Sequence, residues 1–139
     1  MIRYILDTDH LSLYQRGHAA IQARLAVMPP ETIAIAVITV EEQMRGRLAQ
    51  IKKANSARAL IAAYHWLRET TQLLGELPIL DCDETALQVD EKLRRQKNRL
   101  GTQDRRIAAI ALSHGCAVVT RNHADFGQIV GLTLEDWSK

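Results

Sequence analysis

Three carboxylates in this chain stand where apolar runs give way to helical patterns. ILDTDHLS places Asp7 directly after a short apolar stretch. TVEEQMRG places Glu42 soon after a second stretch, TIAIAV, and GTQDRRIAAIA places Asp104 at the head of a later helical segment. Each acid has a local explanation. Asp7 is a good N-cap, because its side-chain oxygen can accept an otherwise unpartnered N–H. Glu42 lies three residues after Thr39, the spacing of a capping box. Asp104 falls in a first helical turn, where the helix dipole favours an acid. Taken together they suggest another chemistry. Converging carboxylates repel one another unless a cation sits between them, and hard oxygen donors select Mg²⁺ or Mn²⁺ rather than zinc.

Whether the acids converge depends on the elements that carry them. Residues 3–6 fit a first strand, followed by a helix capped by Asp7, Thr8 or Asp9 and broken at Gly17. Residues 18–28 resume a helical pattern with Ala20, Ile21, Leu25 and Met28 on one face, stopped by Pro29 and Pro30. Residues 32–37 are apolar throughout, as in a strand of a parallel sheet covered on both faces. Thr39 opens a third helix reaching about residue 53. Asn55 or Ser56 caps a fourth, which runs to about residue 74 and ends at Gly75. Residues 77–80 form a third strand. Asp83 caps a fifth helix whose loose apolar stripe extends to Leu100, and Gly101 separates it from a sixth over Thr102–His114. Residues 117–120 make a fourth strand, residues 122–126 a helical turn, and residues 132–134 a short last strand. This order predicts one α/β domain over residues 1–139: three layers, with a mostly parallel central sheet of four to five strands. In such sheets ligands bind beyond the carboxyl ends of the strands, where the strand order reverses.

Composition narrows the class. The chain is 47% apolar and 24% charged, ordinary for a soluble globular protein and unlike a disordered or fibrous one. Cys82 and Cys116 lie in or beside apolar runs and read as buried reduced thiols, without the Cys/His spacing of a zinc site. No apolar run approaches the roughly 18–20 residues that span a bilayer, and the N-terminus lacks a signal-peptide pattern. A cytoplasmic protein is expected. Net charge is only +2, yet residues 92–106 carry seven cations against one acid. Such a run is either a solvated helix face or a surface for a polyanion.

Four motifs in order, ILDTD, TVEEQMRG, GTQDRRIAAIA and VVTRNHADF, together with the closing LEDW, resemble a PIN-domain protein, and more narrowly a VapC-type toxin, the ribonuclease half of a VapBC toxin–antitoxin pair. The resemblance spans essentially the whole chain. It implies that Asp7, Glu42 and Asp104 hold a Mg²⁺ or Mn²⁺ ion and catalyse hydrolysis of RNA phosphodiester bonds, with transfer or ribosomal RNA as target. The fourth acidic place of the family falls on Asn122, with Asp125 close by as a further candidate ligand. Thr8, Asp9 and Thr120 are candidate supporting groups around the metal. Arg94, Arg95, Lys97, Arg99, Arg105, Arg106 and Arg121 are candidates to line an RNA groove. A VapB-like antitoxin partner is implied, with Arg45 and Arg47 as possible contacts, and a homodimer is expected. Leu60, Ile61, Tyr64 and Leu67 read mostly as core, their remaining face serving a dimer or antitoxin contact. The histidines read mostly as surface residues, with His10 and His123 nearest the site.

Two other readings remain open. A PIN fold with Asn122 in place of an acid could bind RNA or a partner without cutting. LDTD, and LDCD at residues 80–83, also resemble the nucleophile motif of haloacid-dehalogenase-type phosphatases; the late lysine and paired acids of that class have no clear counterpart here.

Overall fold

Alternating burial along the strands sorts the apolar residues into two layers. In β1 (Tyr4–Leu6), Ile5 faces one side of the sheet and Leu6 the other. Their register partners in β4 (Ala117–Val119), Val118 and Val119, divide the same way. All four side chains are fully or almost fully buried, and each such burial stabilises the fold by roughly 1.5–3 kcal/mol. A computed structural model describes residues 1–139. Its five strands are all parallel, in the order β3-β2-β1-β4-β5, with β2 at Ile33–Ala36, β3 at Ile79–Leu80 and β5 at Leu134–Glu135.

Helices cover both faces. One layer is built on α5 (Glu84–Arg95) and α6 (Thr102–His114), whose Leu93, Ile107 and Ile110 join Ile5 and Val118. The other contains Leu11 of α1 (Thr8–Gln15), Ile21 of α2 (Ala19–Val27) and Leu74 of α4 (Ala57–Glu76), closed by Trp137 near the C-terminus. The long α3 (Val37–Lys53) follows β2, and the short α7 (His123–Phe126) follows β4. Because β2 and β4 lie on opposite sides of β1, the strand order reverses at β1. The crevice beyond the carboxyl ends of β1 and β4 is therefore where a ligand is expected.

Several boundaries move from their sequence positions. The third helix starts at Val37, because β2 turns into it with no intervening loop, and its N-cap is Ala36 with no side-chain cap. Thr39 is then inside the helix and fully buried, so the capping-box reading of Thr39 and Glu42 does not hold. Gly75 lies within α4, which ends at Glu76, and Pro78 follows shortly after. Leu100 is buried in the loop after α5 rather than on that helix. The last strand lies at Leu134–Glu135, against Val118 and Val119. On α4 the inward residues are Ala63, Thr70 and Leu74, whereas Leu60, Ile61 and Tyr64 are exposed; the core reading of those three is corrected. Ser56 and Asp83 cap their helices as expected, and Gly115 ends α6 with φ +66°, a left-handed conformation that glycine adopts without a Cβ penalty. Both cysteines are free thiols, Cys116 buried and Cys82 partly so. No helix is long and apolar enough to cross a membrane.

Candidate active site

Asp7 leaves β1 directly and caps α1. Its Oδ1 accepts the His10 backbone N–H at 2.8 Å. The cap uses one carboxylate oxygen and leaves Oδ2 for another partner. The side chain is almost buried, so its position is fixed by the backbone turn. Glu42 is the sixth residue of α3 and is freed from any capping duty. It accepts a short hydrogen bond, 2.6 Å, from the hydroxyl of Thr8, which also stands 3.3 Å from the Thr39 hydroxyl. Thr8 thus ties the start of α1 to α3.

Asp104 sits in the first turn of α6, partly buried, beside the other two. Burial pushes its carboxyl above the ordinary carboxylate value. The facing charges of Glu42, Asp7 and Asp125 push it further in the same direction. Glu42 of α3, Asp7 at the N-cap of α1 and Asp125 of α7 thus lie within electrostatic reach of Asp104 of α6. An open cleft there is lined by Asp7, Thr8, Asp9, Asp104, Arg121, Asn122 and Phe126.

A tighter trio is formed by Asp7, Asp9 and His10, whose ligand-type atoms lie within 4.8 Å of one another. Two of its members are already engaged. Arg121 grips Asp9 with two hydrogen bonds of 2.7 and 2.8 Å. His10 is fully buried, and its Nε2 accepts the Trp137 backbone N–H at 3.2 Å. Nε2 also lies 3.5 Å from Asp136 Oδ1, and Nδ1 stands 3.5 Å from Asp7 Oδ1 without a hydrogen bond. His10 thus links the Asp7 cap, through its backbone N–H, to the C-terminal segment, through its ring. The expectation of a surface histidine is wrong for this one; its position three residues after Asp7, on the same helical face, was the available signal.

A model of the PIN domain matches residues 4–131. The chain belongs to the PIN domain family. Among curated relatives, a tRNA(fMet)-specific endonuclease VapC of Shigella flexneri is 36% identical over 69 residues, 47% of this chain and 52% of that protein. The match thus spans about half the length of that relative. Ribonuclease VapC1 of Haemophilus influenzae is 26% identical over 140 residues, covering 98% of both chains. Among solved structures, the DNA-bound VapBC of Salmonella typhimurium superposes with a TM-score of 0.82 at 27% identity, over 99% of each chain.

Around the acids of this PIN domain, the remaining candidates fall into distinct places. Asn122 caps α7: its Oδ1 accepts the Asp125 N–H at 3.3 Å, and its Nδ2 donates to Asp125 Oδ2 at 3.1 Å. Asn122 thereby holds Asp125, whose charge adds to the larger effects of burial, Glu42 and Asp7 on Asp104. Thr120 is fully buried, and its hydroxyl accepts the Asn122 N–H at 2.9 Å. Arg105 does not face outward. It is partly buried, in an ion pair with the buried Asp90 of α5 at 2.7 Å, joining α5 to α6. Arg94 and Arg95 are exposed and pair with Glu91. Arg99 stands 3.8 Å from Asp125, Lys97 is exposed, and Arg106 is partly buried beside Gln103. Arg45 pairs on the surface with Glu41, which also accepts from Gln103 of α6 at 2.8 Å. His123 is exposed.

Proposed function

We propose that this protein is a metal-dependent endoribonuclease of the VapC type, hydrolysing RNA phosphodiester bonds and restrained by a small VapB-like antitoxin. The observation that carries this reading is geometric: Asp7 and Asp104 line one cleft at the carboxyl edge of the sheet, with Glu42 tied to it through Thr8. No side-chain cation pairs with Asp104, whose carboxyl is raised by burial and by the facing acids. Such a centre fits a hard divalent cation, which relieves the repulsion. Mg²⁺ or Mn²⁺ would be held by Asp7 and Asp104, completed by Glu42 or by Asp125 on its Asn122 support. When bound, the ion supplies charge neutralisation for phosphate and acidification of a water.

The protein's own groups do the rest. Asp7 presents Oδ2 from a rigid helix cap, backed by His10. Glu42, oriented by Thr8, is positioned to accept the proton of an attacking water. Arg121 lines the cleft but is held by Asp9, and Arg99 stands 3.8 Å from Asp125; RNA phosphate would have to compete with these carboxylates for either cation. Support for the substrate comes from the printed activities of the VapC relatives, one specific for tRNA(fMet) and one named a ribonuclease. Support for the antitoxin comes from the VapBC structure, and the exposed Leu60, Ile61 and Tyr64 on α4 offer an apolar face for it or for a second copy.

Incubation of the purified protein with structured RNA, with and without Mg²⁺ or Mn²⁺, tests the reading. Ion-dependent cleavage that falls by about a thousandfold or more in Asp7→Asn is expected. RNA that is bound but stays intact with either ion would return the non-cutting alternative. Cleavage that survives Asp7→Asn would place the chemistry elsewhere.

A further inference from the structure

A second cleft, about 390 Å³, adjoins the acidic one and shares Thr8 with it. Glu42 is among its lining residues, and the walls come from α1, α3 and α4. Its lining is almost wholly polar, unlike a groove built to hold a packed hydrophobic helix. Two guanidinium groups, Arg16 and Arg47, enter it. Arg47 is held in place by neutral oxygens alone: Thr70 at 2.8 Å, Gln15 at 3.1 Å and Gln50 at 3.1 Å. Its plane lies over the Trp66 ring at 5.5 Å. Burial and the charge of Arg16 both lower its pKa, as expected for two cations facing one space. The one carboxylate of the lining, Glu42, is engaged by the Thr8 hydroxyl and pairs with neither cation, so the Arg16–Arg47 side of the cleft favours a negatively charged group.

The remaining groups ask for more than an anion. Gln43 is buried, lines the cleft and donates through Nε2 to Ser12 at 3.0 Å, which fixes the amide and leaves Oε1 as its unengaged acceptor. Gln50 uses its oxygen on Arg47 and keeps its NH₂ as a donor. Trp66 adds a flat, partly exposed ring. One oriented acceptor, one donor and a stacking surface beside two cations match a nucleotide: the base edge meets the amides and the phosphate meets the guanidiniums. The volume lies in the range of small-ligand pockets.

We infer that this cleft seats one unpaired nucleotide of the RNA adjoining the bond to be cut, its phosphate on Arg16 and Arg47 and its base edge on Gln43 and Gln50, and so selects where cleavage occurs. The inference rests on the nuclease reading for its consequence, but the binding can be tested apart from it. Short single-stranded oligoribonucleotides of equal length and different base, and the four nucleoside monophosphates, are titrated into the full-length protein in EDTA, following anisotropy and Trp66 fluorescence. Trp137 is buried away from the cleft and serves as the silent tryptophan in a Trp66→Phe control.

Wild-type protein is expected to prefer one base by about tenfold. Arg16→Gln should weaken every oligonucleotide about five- to tenfold without changing the order of preference, as a phosphate contact does. Gln50→Ala and Gln43→Glu should flatten or change that order. Arg16 and Gln50 are exposed, so their variants keep the fold. With Mg²⁺ or Mn²⁺ present, end-sequencing of products should show the flanking base relaxed in Gln50→Ala. Base-selective binding without any cleavage keeps the nucleotide seat and removes the nuclease reading. Cleavage with unchanged ends and unchanged affinities in all three variants removes the seat and keeps the nuclease. Equal binding of all bases, with the variants impaired only toward an antitoxin peptide, overturns the inference in favour of a peptide site. Monophosphate binding as tight as that of the oligonucleotides overturns the assignment to an RNA strand in favour of a free nucleotide.

Discussion

The acidic edge and the basic stretch are opposites in charge, and also in how far that charge is compensated. Asp7, Glu42 and Asp104 gather from separate elements with hydroxyl and backbone partners but no paired cation. The cations of residues 92–106 look denser in sequence. In the fold, however, Arg94 and Arg95 meet Glu91, Arg105 meets Asp90, and Arg99 approaches Asp125. Neighbouring carboxylates absorb much of the apparent +6 patch. Uncompensated charge marks a place for a ligand, whereas compensated charge belongs to the fold or its solvated surface. Arg16 and Arg47 follow the same rule. Neither stands out in the sequence, yet they meet in one cleft and neither pairs with its one carboxylate, Glu42.

Breaking a compensated, buried charge should produce the largest change in stability. Arg105→Ala leaves Asp90 unpartnered between α5 and α6, and removing one partner of a buried pair typically costs about 3–5 kcal/mol. Urea unfolding should show that loss. Arg105→Ala with Asp90→Asn should recover part of it, and a change below about 1 kcal/mol would mean that the pair is solvated.

The next effect is on activity. Thr8→Val removes the 2.6 Å bond that orients Glu42 and is expected to lower RNA cleavage about 10- to 100-fold. The melting temperature should move little, and Thr8→Ser should retain most of the activity.

A smaller and opposite effect belongs to the uncompensated site. Asp104→Asn removes a like charge, so in EDTA at neutral pH this variant should melt about 1–3 °C above wild type, the screening at a partly exposed site keeping the gain below about 1 kcal/mol. The pH dependence has a definite sign. A carboxyl whose folded pKa is raised binds protons more readily in the folded chain, so its contribution is complete below its unfolded pKa, about 4. That contribution is lost as pH rises through the higher folded value. The gap between Asp104→Asn and wild type should therefore close on acidification. Addition of Mg²⁺ at neutral pH should also close it, by stabilising wild type alone. A gap independent of pH would show that Asp104 feels no such repulsion.

The smallest effect completes the comparison. Arg94→Ala breaks an exposed pair with Glu91 and should alter stability by less than about 0.5 kcal/mol. If it also leaves RNA affinity unchanged, the exposed end of α5 lies outside the binding surface.

Much of this was open to a reader of the sequence. Strands and helices follow from local pattern: the apolar run over Ile33–Ala36, the caps at Ser56 and Asp83, and the glycine at 115 act within a few residues of themselves. Asp7, Glu42 and Asp104 were visible as acids at strand ends and helix starts. Their ambiguity was real, because capping and ligation use the same oxygens. The structure answers the capping half: Asp7 caps with one oxygen, and Glu42 caps nothing because α3 begins two residues before Thr39.

The rest was decided by contacts between residues far apart in the chain. His10 became a buried brace because the C-terminal segment, 127 residues away, folds over it. Arg105 left the proposed RNA surface because Asp90 waits on the facing helix. Local sequence determines which groups exist and which element carries each. Which charges are neutralised, and which remain to bind something else, depends on distances that only the packed sheet and its two helical layers establish, because Coulomb energy follows spatial separation rather than position along the chain.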